Sequence, residues 1–255
     1  MDQLFEAVAE KCKTAGFLES VISKAHYASE DRELIFDILE KILKCMEEGA
    51  VWSGKDMERD LAQGARGIGG TAQVQEVVIT LGDGVDKLQE EYLSACQLTE
   101  AYMVEVLGSE ILLLAYAAYN AWIREHLDFA VKRYYFLGTG EYVTITGEDM
   151  DREHSGKEKR AETDTGISLK LSALPDMLKR SGLAVTCTEG YCMLPKKTVA
   201  FYAELTADHD TVCEGICMGC GRIDCPNRMD IGERTRGNRT LDRPLTYGYS
   251  RIFGL

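Results

Sequence analysis

The chain has 255 residues, 45% of them hydrophobic and 28% charged, with a net charge of −13. That composition suits one large globular domain or two small ones and excludes general disorder. The longest apolar stretch without a charge, 111–123, falls short of the roughly 20 residues of a membrane span, and the acidic, amphipathic start MDQLFEAVAEK has no secretory pattern, so neither membrane nor export is expected.

Residues 2–65 read as helical. The clearest segment is Glu30 to Glu48, where Leu34, Ile35, Ile38, Leu39, Ile42, Cys45 and Met46 form one apolar stripe. Ser29 is the expected N-cap and Gly49 the expected stop. The glycine-rich run GARGIGG (64–70) lacks the preceding strand that a phosphate-binding loop needs and reads as a hinge. Val77 to Leu81 is β-branched and predicts a buried strand. Val85 to Ala95 predicts a helix. The segment from Leu98 to His126, apolar on nearly every side, predicts the central core helix.

Phe129 to Leu137 and Tyr142 to Thr146 read as strands. From Glu148 to Asp164, eleven of seventeen residues are charged and no apolar period survives, which predicts an exposed loop. Leu169 to Arg180 predicts a helix ended by Gly182. Two strands, Leu183 to Leu194 and Thr198 to Leu205, are expected to pair across a turn at Pro195 and Lys196.

Four of the nine cysteines crowd into thirteen residues, as Cys213-x3-Cys217-x2-Cys220-x4-Cys225 followed by Pro226. With no secretory pattern visible, a reducing, cytoplasmic compartment is expected, and there such a run points to metal rather than disulfides. Soft thiolates select an iron–sulfur cluster or zinc. Zinc usually takes two CxxC knuckles separated by a longer loop, whereas one compact run closed by Pro is the ferredoxin manner. A [4Fe–4S] cluster on these four cysteines is therefore expected, with zinc as the alternative. Gly215, Gly219 and Gly221 let the backbone wrap tightly around it. The first three cysteines also match the Cx3Cx2C spacing of radical S-adenosylmethionine enzymes, but the fourth cysteine and the lack of surrounding βα repeats argue against that chemistry. Cys12, Cys45, Cys96, Cys187 and Cys192 are scattered and read as small buried hydrophobes. The four histidines are far apart. His209, four residues before Cys213, is a candidate substitute ligand or hydrogen-bond donor to the centre.

After Pro226 the charge reverses. Arg228, Arg234, Arg236, Arg239, Arg243 and Arg251 face only Asp230, Glu233 and Asp242, a net +3, which leaves −16 on the first 225 residues. Such an acidic body does not favour nucleic acid. The apolar residues of the tail (Leu245, Tyr247, Tyr249, Ile252, Phe253, Leu255) predict that it packs near the cysteine site rather than trailing as a solvated end.

Two segments, VVITLGDGVDKLQEEYLSACQLTEAYMVEVLGSEIL (77–112) and GLAVTCTEGYCMLPKKTVAFYAEL (182–205), resemble the reactivation domain of cobalamin-dependent methionine synthase and its short stand-alone relatives. Some of those relatives end in a cysteine cluster closed by Cys-Pro-x-Arg, which Cys225-Pro226-Asn227-Arg228 resembles. The resemblance implies an α+β fold with a curved antiparallel sheet and flanking helices. To this frame the chain would add a helical N-terminal region (1–70) and a Cys-rich segment with a basic aromatic tail (208–255) around the α+β domain (71–207). It also implies docking on a corrinoid protein or corrinoid methyltransferase. The family's methyl-donor motif, Arg-x-x-Pro-Gly-Tyr, corresponds to RAETDTGIS (160–168). Arg160 and Gly166 remain and the Pro and Tyr do not, so S-adenosylmethionine is expected to bind weakly or not at all, while Arg160, Gly166 and Arg228 stand as candidate cofactor contacts. The combined expectation is an iron–sulfur electron-transfer protein that takes electrons from a low-potential donor and reductively activates a corrinoid protein. The alternatives are a corrinoid-binding or corrinoid-docking accessory protein with a structural cluster, and a zinc-binding interaction module.

Overall fold

The structure, a computed structural model, describes residues 2–56, 73–139, 142–144, 166–211 and 213. Three helices come first: α1 (Gln3–Cys12), α2 (Ala15–Ala25) and α3 (Arg32–Gly49). The Asp2 side chain caps α1 and the Thr14 hydroxyl caps α2, each accepting from a first-turn amide as N-cap residues do. Ser29 opens a short 3-10 turn, Ser29–Asp31, and Asp31 takes the cap position of α3. The apolar stripe of α3 is buried as expected, with Ile35, Ile38, Ile42 and Met46 wholly enclosed.

The helical reading of residues 2–65 stops at Gly49. Strand β1 (Val51–Asp56) follows and pairs antiparallel with β2 (Gln73–Thr80), which is buried along nearly its whole length. Between β2 and α4 (Asp83–Ser94) the chain turns at Gly82. Its φ of +84° is left-handed, and a Cβ there would lie 2.6 Å from the Gly49 backbone, so only glycine fits. Helix α5 (Leu98–Leu127) runs 30 residues, about 45 Å at 1.5 Å per residue. It alone among the described residues is long and apolar enough to cross a membrane. Here Met103, Leu107, Ile111, Ala115, Tyr119 and Ile123 form the centre of the core, the place expected for it.

Strand β3 (Ala130–Phe136) follows α5, then a short pair, β4 (Tyr142–Thr144) and β5 (Gly166–Ser168), and helix α6 (Leu174–Ser181), which Gly182 ends in the left-handed region. Residues 183–194 do not make one long strand. They form a separate hairpin, β6 (Thr186–Cys187) with β7 (Met193–Leu194), and only β8 (Thr198–Thr206) enters the main sheet. The fold is α+β: a four-stranded antiparallel sheet, β1-β2-β8-β3, flanked by helices.

Strand alternation divides the core into two layers. Val77, Ile79, Phe201, Ala203, Leu205 and Tyr134 face α1–α5, and the N-terminal helices share that layer. Val74, Val78, Ala200 and Tyr202 face α6, with Leu174, Met177, Leu178 and Val185. The α6 face also holds two buried carboxylates. Glu76 accepts a two-pronged bond from Arg180 (Nε 2.8 Å, Nη2 2.5 Å), and Glu204 accepts from the Tyr135 hydroxyl (2.6 Å) with Lys132 Nζ at 3.4 Å. Buried carboxylates persist in folded proteins when they are paired in this way. Lys197, 6% exposed, ties the start of β8 to α5 through Glu105 and Ser109, its stem lying against Gly108, where a Cβ would meet Lys197 Cε at 2.9 Å.

Candidate metal centre

The cysteine run begins where β8 leaves the sheet. Asp208 folds the chain back: its carboxylate accepts from Asp210 N (3.1 Å) and Thr211 Oγ1 (2.9 Å), and its carbonyl accepts from Thr211 N (3.2 Å). Two longer-range contacts pin this turn to the C-terminal end of α5. His209 Nε2 lies 3.3 Å from Asp128 Oδ1, and Arg124 Nη2 donates to the Thr211 carbonyl at 3.5 Å. His209, the candidate extra ligand, therefore has a carboxylate partner at the end of the core helix.

Cys213, two residues beyond Thr211, is half-buried and packs against the α1–α5 core layer. In that layer α5 and β3 are joined, as the Tyr134 hydroxyl of β3 donates to Asn120 Oδ1 of α5. Next to this seam the Tyr119 hydroxyl donates to Gln75 Oε1 (3.0 Å), and Gln75 Nε2 donates to Asp56 Oδ1 (2.8 Å). Burial pushes the Tyr119 and Tyr134 hydroxyls well above the ordinary phenol value; nearby Asp56 and Cys213 add to the effect at Tyr119, and Cys213 and neighbouring tyrosines add to it at Tyr134. Tyr116, on the same helix and just as buried, is raised by burial alone.

The same core layer holds an aromatic cluster. Phe201, wholly enclosed, contacts Tyr116 and Tyr134 (centroids 5.1 Å each), Tyr119 (5.8 Å) and Phe136 (6.1 Å). Trp52 packs edge-on against Tyr119 (5.8 Å) and Trp122 (4.8 Å), and His126 stacks on Trp122.

Cys217, Cys220, Cys225, Arg160, Arg228, the 64–70 hinge, the 148–164 loop and the basic tail lie outside the described residues. Gly166 opens β5, and its neighbour Ile167 packs against the α6 layer, on the sheet face opposite Cys213. Among the described residues no group of three or more His, Cys, Asp or Glu side chains could hold a metal ion. The scattered cysteines divide. Cys12 is buried, and burial pushes its thiol up to about 12. Cys96 and Cys192 are exposed, contrary to the reading of each as a buried hydrophobe.

Tyr119, Tyr134, Asn120 and Gln75 were not singled out from sequence. Their signal in the sequence was weak, since each is a single polar group with no motif around it. A half-open cleft of about 580 Å³ lies by the α1–α2 turn, lined by Cys12, Lys13, Leu18, Arg32 and Phe36 among others. It shares no residue with the Cys213 seat, and its Arg32 is already paired with Glu19. No protein-family model matches the chain, and no curated protein matches it.

Proposed function

We propose that the chain is an iron–sulfur electron-transfer protein that docks on a corrinoid protein in the cytoplasm and reduces its cobalt. The observation that carries the reading is the four-cysteine run with its first member packed on the core. The donor set suits the group: four thiolates in thirteen residues, with glycines between them. The placement suits it as well. Cys213 is half-buried against the core, so a centre bound there would be partly shielded from water, one of the factors that set a cluster's potential.

When bound, such a cluster supplies one-electron chemistry at low potential. A low-potential donor provides the electron and the oxidised cobalt of the partner accepts it, with no proton or methyl group required from this chain. The corrinoid partner rests on the resemblance of 77–112 and 182–205 to the methionine synthase reactivation domain. Arg160, Gly166 and Arg228 remain candidate contacts for the corrinoid or its protein.

The reading is tested by mixing the reduced protein anaerobically with a corrinoid protein in its cob(II) state and following the cobalt spectrum. Conversion to cob(I), with stoichiometric return of the visible band as the reduced protein is reoxidised, is expected. A cobalt spectrum that stays unchanged while the centre remains reducible by dithionite would favour a structural cluster.

A further inference from the structure

We infer that the half-open cleft of about 580 Å³ by the α1–α2 turn binds a small zwitterion of dipeptide size with an apolar or aromatic body, its carboxylate taken by Lys13 and its ammonium by Glu33 and Asp37. The floor of the cleft is apolar. Leu18 and Leu39 are buried, and Cys12 is buried with its thiol kept neutral, pushed up to about 12 by burial against the pull of Lys13. Phe36 adds a large aromatic side chain that is 43% exposed and lines the same space.

The charges come from different elements. Lys13 closes α1, whereas Glu33 and Asp37 stand on α3. At about 100° per residue, Leu39, Arg32, Phe36, Glu33 and Asp37 follow one another round α3 from the floor outward. Phe36 therefore lies between the buried floor and the acidic pair. Two nearby cations are already engaged: Arg32 with Glu19 of α2, and Lys41, one turn beyond Asp37, with the Tyr92 hydroxyl (2.9 Å). The side chains of Lys13, Glu33 and Asp37 make no hydrogen bond or ion pair among the described residues.

This distribution selects the ligand class. A lone carboxylate would gain Lys13 and meet two like charges; a lone ammonium would gain Glu33 and Asp37 and meet Lys13. A zwitterion satisfies both signs while its body covers the apolar floor and packs against the Phe36 ring. Exposed charge pairs contribute little each, so the expected Kd lies between about 0.1 and 1 mM, as for a small ligand in an open site.

The test uses the full chain purified under argon and fluorine NMR with glycyl-para-fluoro-L-phenylalanine as the probe. Its N-acetyl form lacks the ammonium and its C-terminal amide lacks the carboxylate. The variants are Lys13→Gln, the double variant Glu33→Gln/Asp37→Asn, and Phe36→Ala, all at exposed positions, with far-UV circular dichroism to check the fold. The dipeptide is expected to bind saturably and at least threefold more tightly than either blocked form. Lys13→Gln should abolish its advantage over the amide, the double variant its advantage over the acetyl form, and Phe36→Ala should weaken all three ligands. Absence of saturable binding, equal affinity for the three ligands, or affinities unchanged in the variants would overturn the inference. None of these outcomes depends on iron, so its failure would leave the iron–sulfur reading standing.

Discussion

A Cys217→Ser/Cys220→Ser double variant loses its iron and its visible absorbance, whereas Cys12→Ser and Cys45→Ser keep both. The expected effect is close to all-or-none, because a four-ligand centre that loses two thiolates keeps too few soft donors to hold a cluster. Cys12 and Cys45 make suitable controls. Cys12 is enclosed in the core with its thiol held protonated by burial, and Cys45 packs on the same layer, half-buried, with its thiol also pushed up mainly by burial. Cys213 differs from both in lying at the end of a pinned turn that leads into the rest of the run. Iron analysis and the absorption spectrum of the anaerobic variants decide the matter. Full iron in the double variant would remove the cysteine run from the account.

Phe201→Ala has the largest expected effect on stability. Phe201 is wholly enclosed, opposite Val77 on one neighbouring strand and Phe136 on the other, and it joins β8 to α5 through Tyr116 and Tyr119. Truncating a buried Phe typically costs about 3–5 kcal/mol, the lost transfer energy plus the cavity left behind. For a chain of this size each kcal/mol lowers Tm by about 2–4 °C, so a drop of about 10 °C is expected by thermal unfolding. A Tm within about 2 °C of wild type would mean that this cluster is not the mechanical floor of the fold.

The elements legible in the sequence were those with a strong local pattern. The stripe of α3, the all-apolar α5 and the β-branched core of β2 identify themselves, because burial on one face or on all faces dictates composition directly. Strand β1 did not. VWSGKD carries a glycine and two charges and is mostly exposed, and it becomes a strand only because β2 offers it a ladder partner. The 183–194 segment was misread for the opposite reason: its strand-like residues are real, but they pair with each other in a hairpin instead of with β8.

The candidate site divides in the same way. The cysteine run is a matter of spacing, which sequence displays. The seat beneath Cys213 is a matter of which tyrosine meets which strand. Tyr119 and Tyr134, whose hydroxyls bond Gln75 and Asn120, come from different elements. Nothing local distinguishes them before the turn at Asp208 is placed.

The most direct measurement is iron, acid-labile sulfide and zinc analysis of the wild-type chain purified under argon, together with its absorption spectrum. The account predicts a brown protein with about four iron and four sulfide per chain, the stoichiometry of one cluster on four thiolates, and a broad visible band that dithionite bleaches. A colourless protein carrying one zinc, or no metal at all, would contradict it.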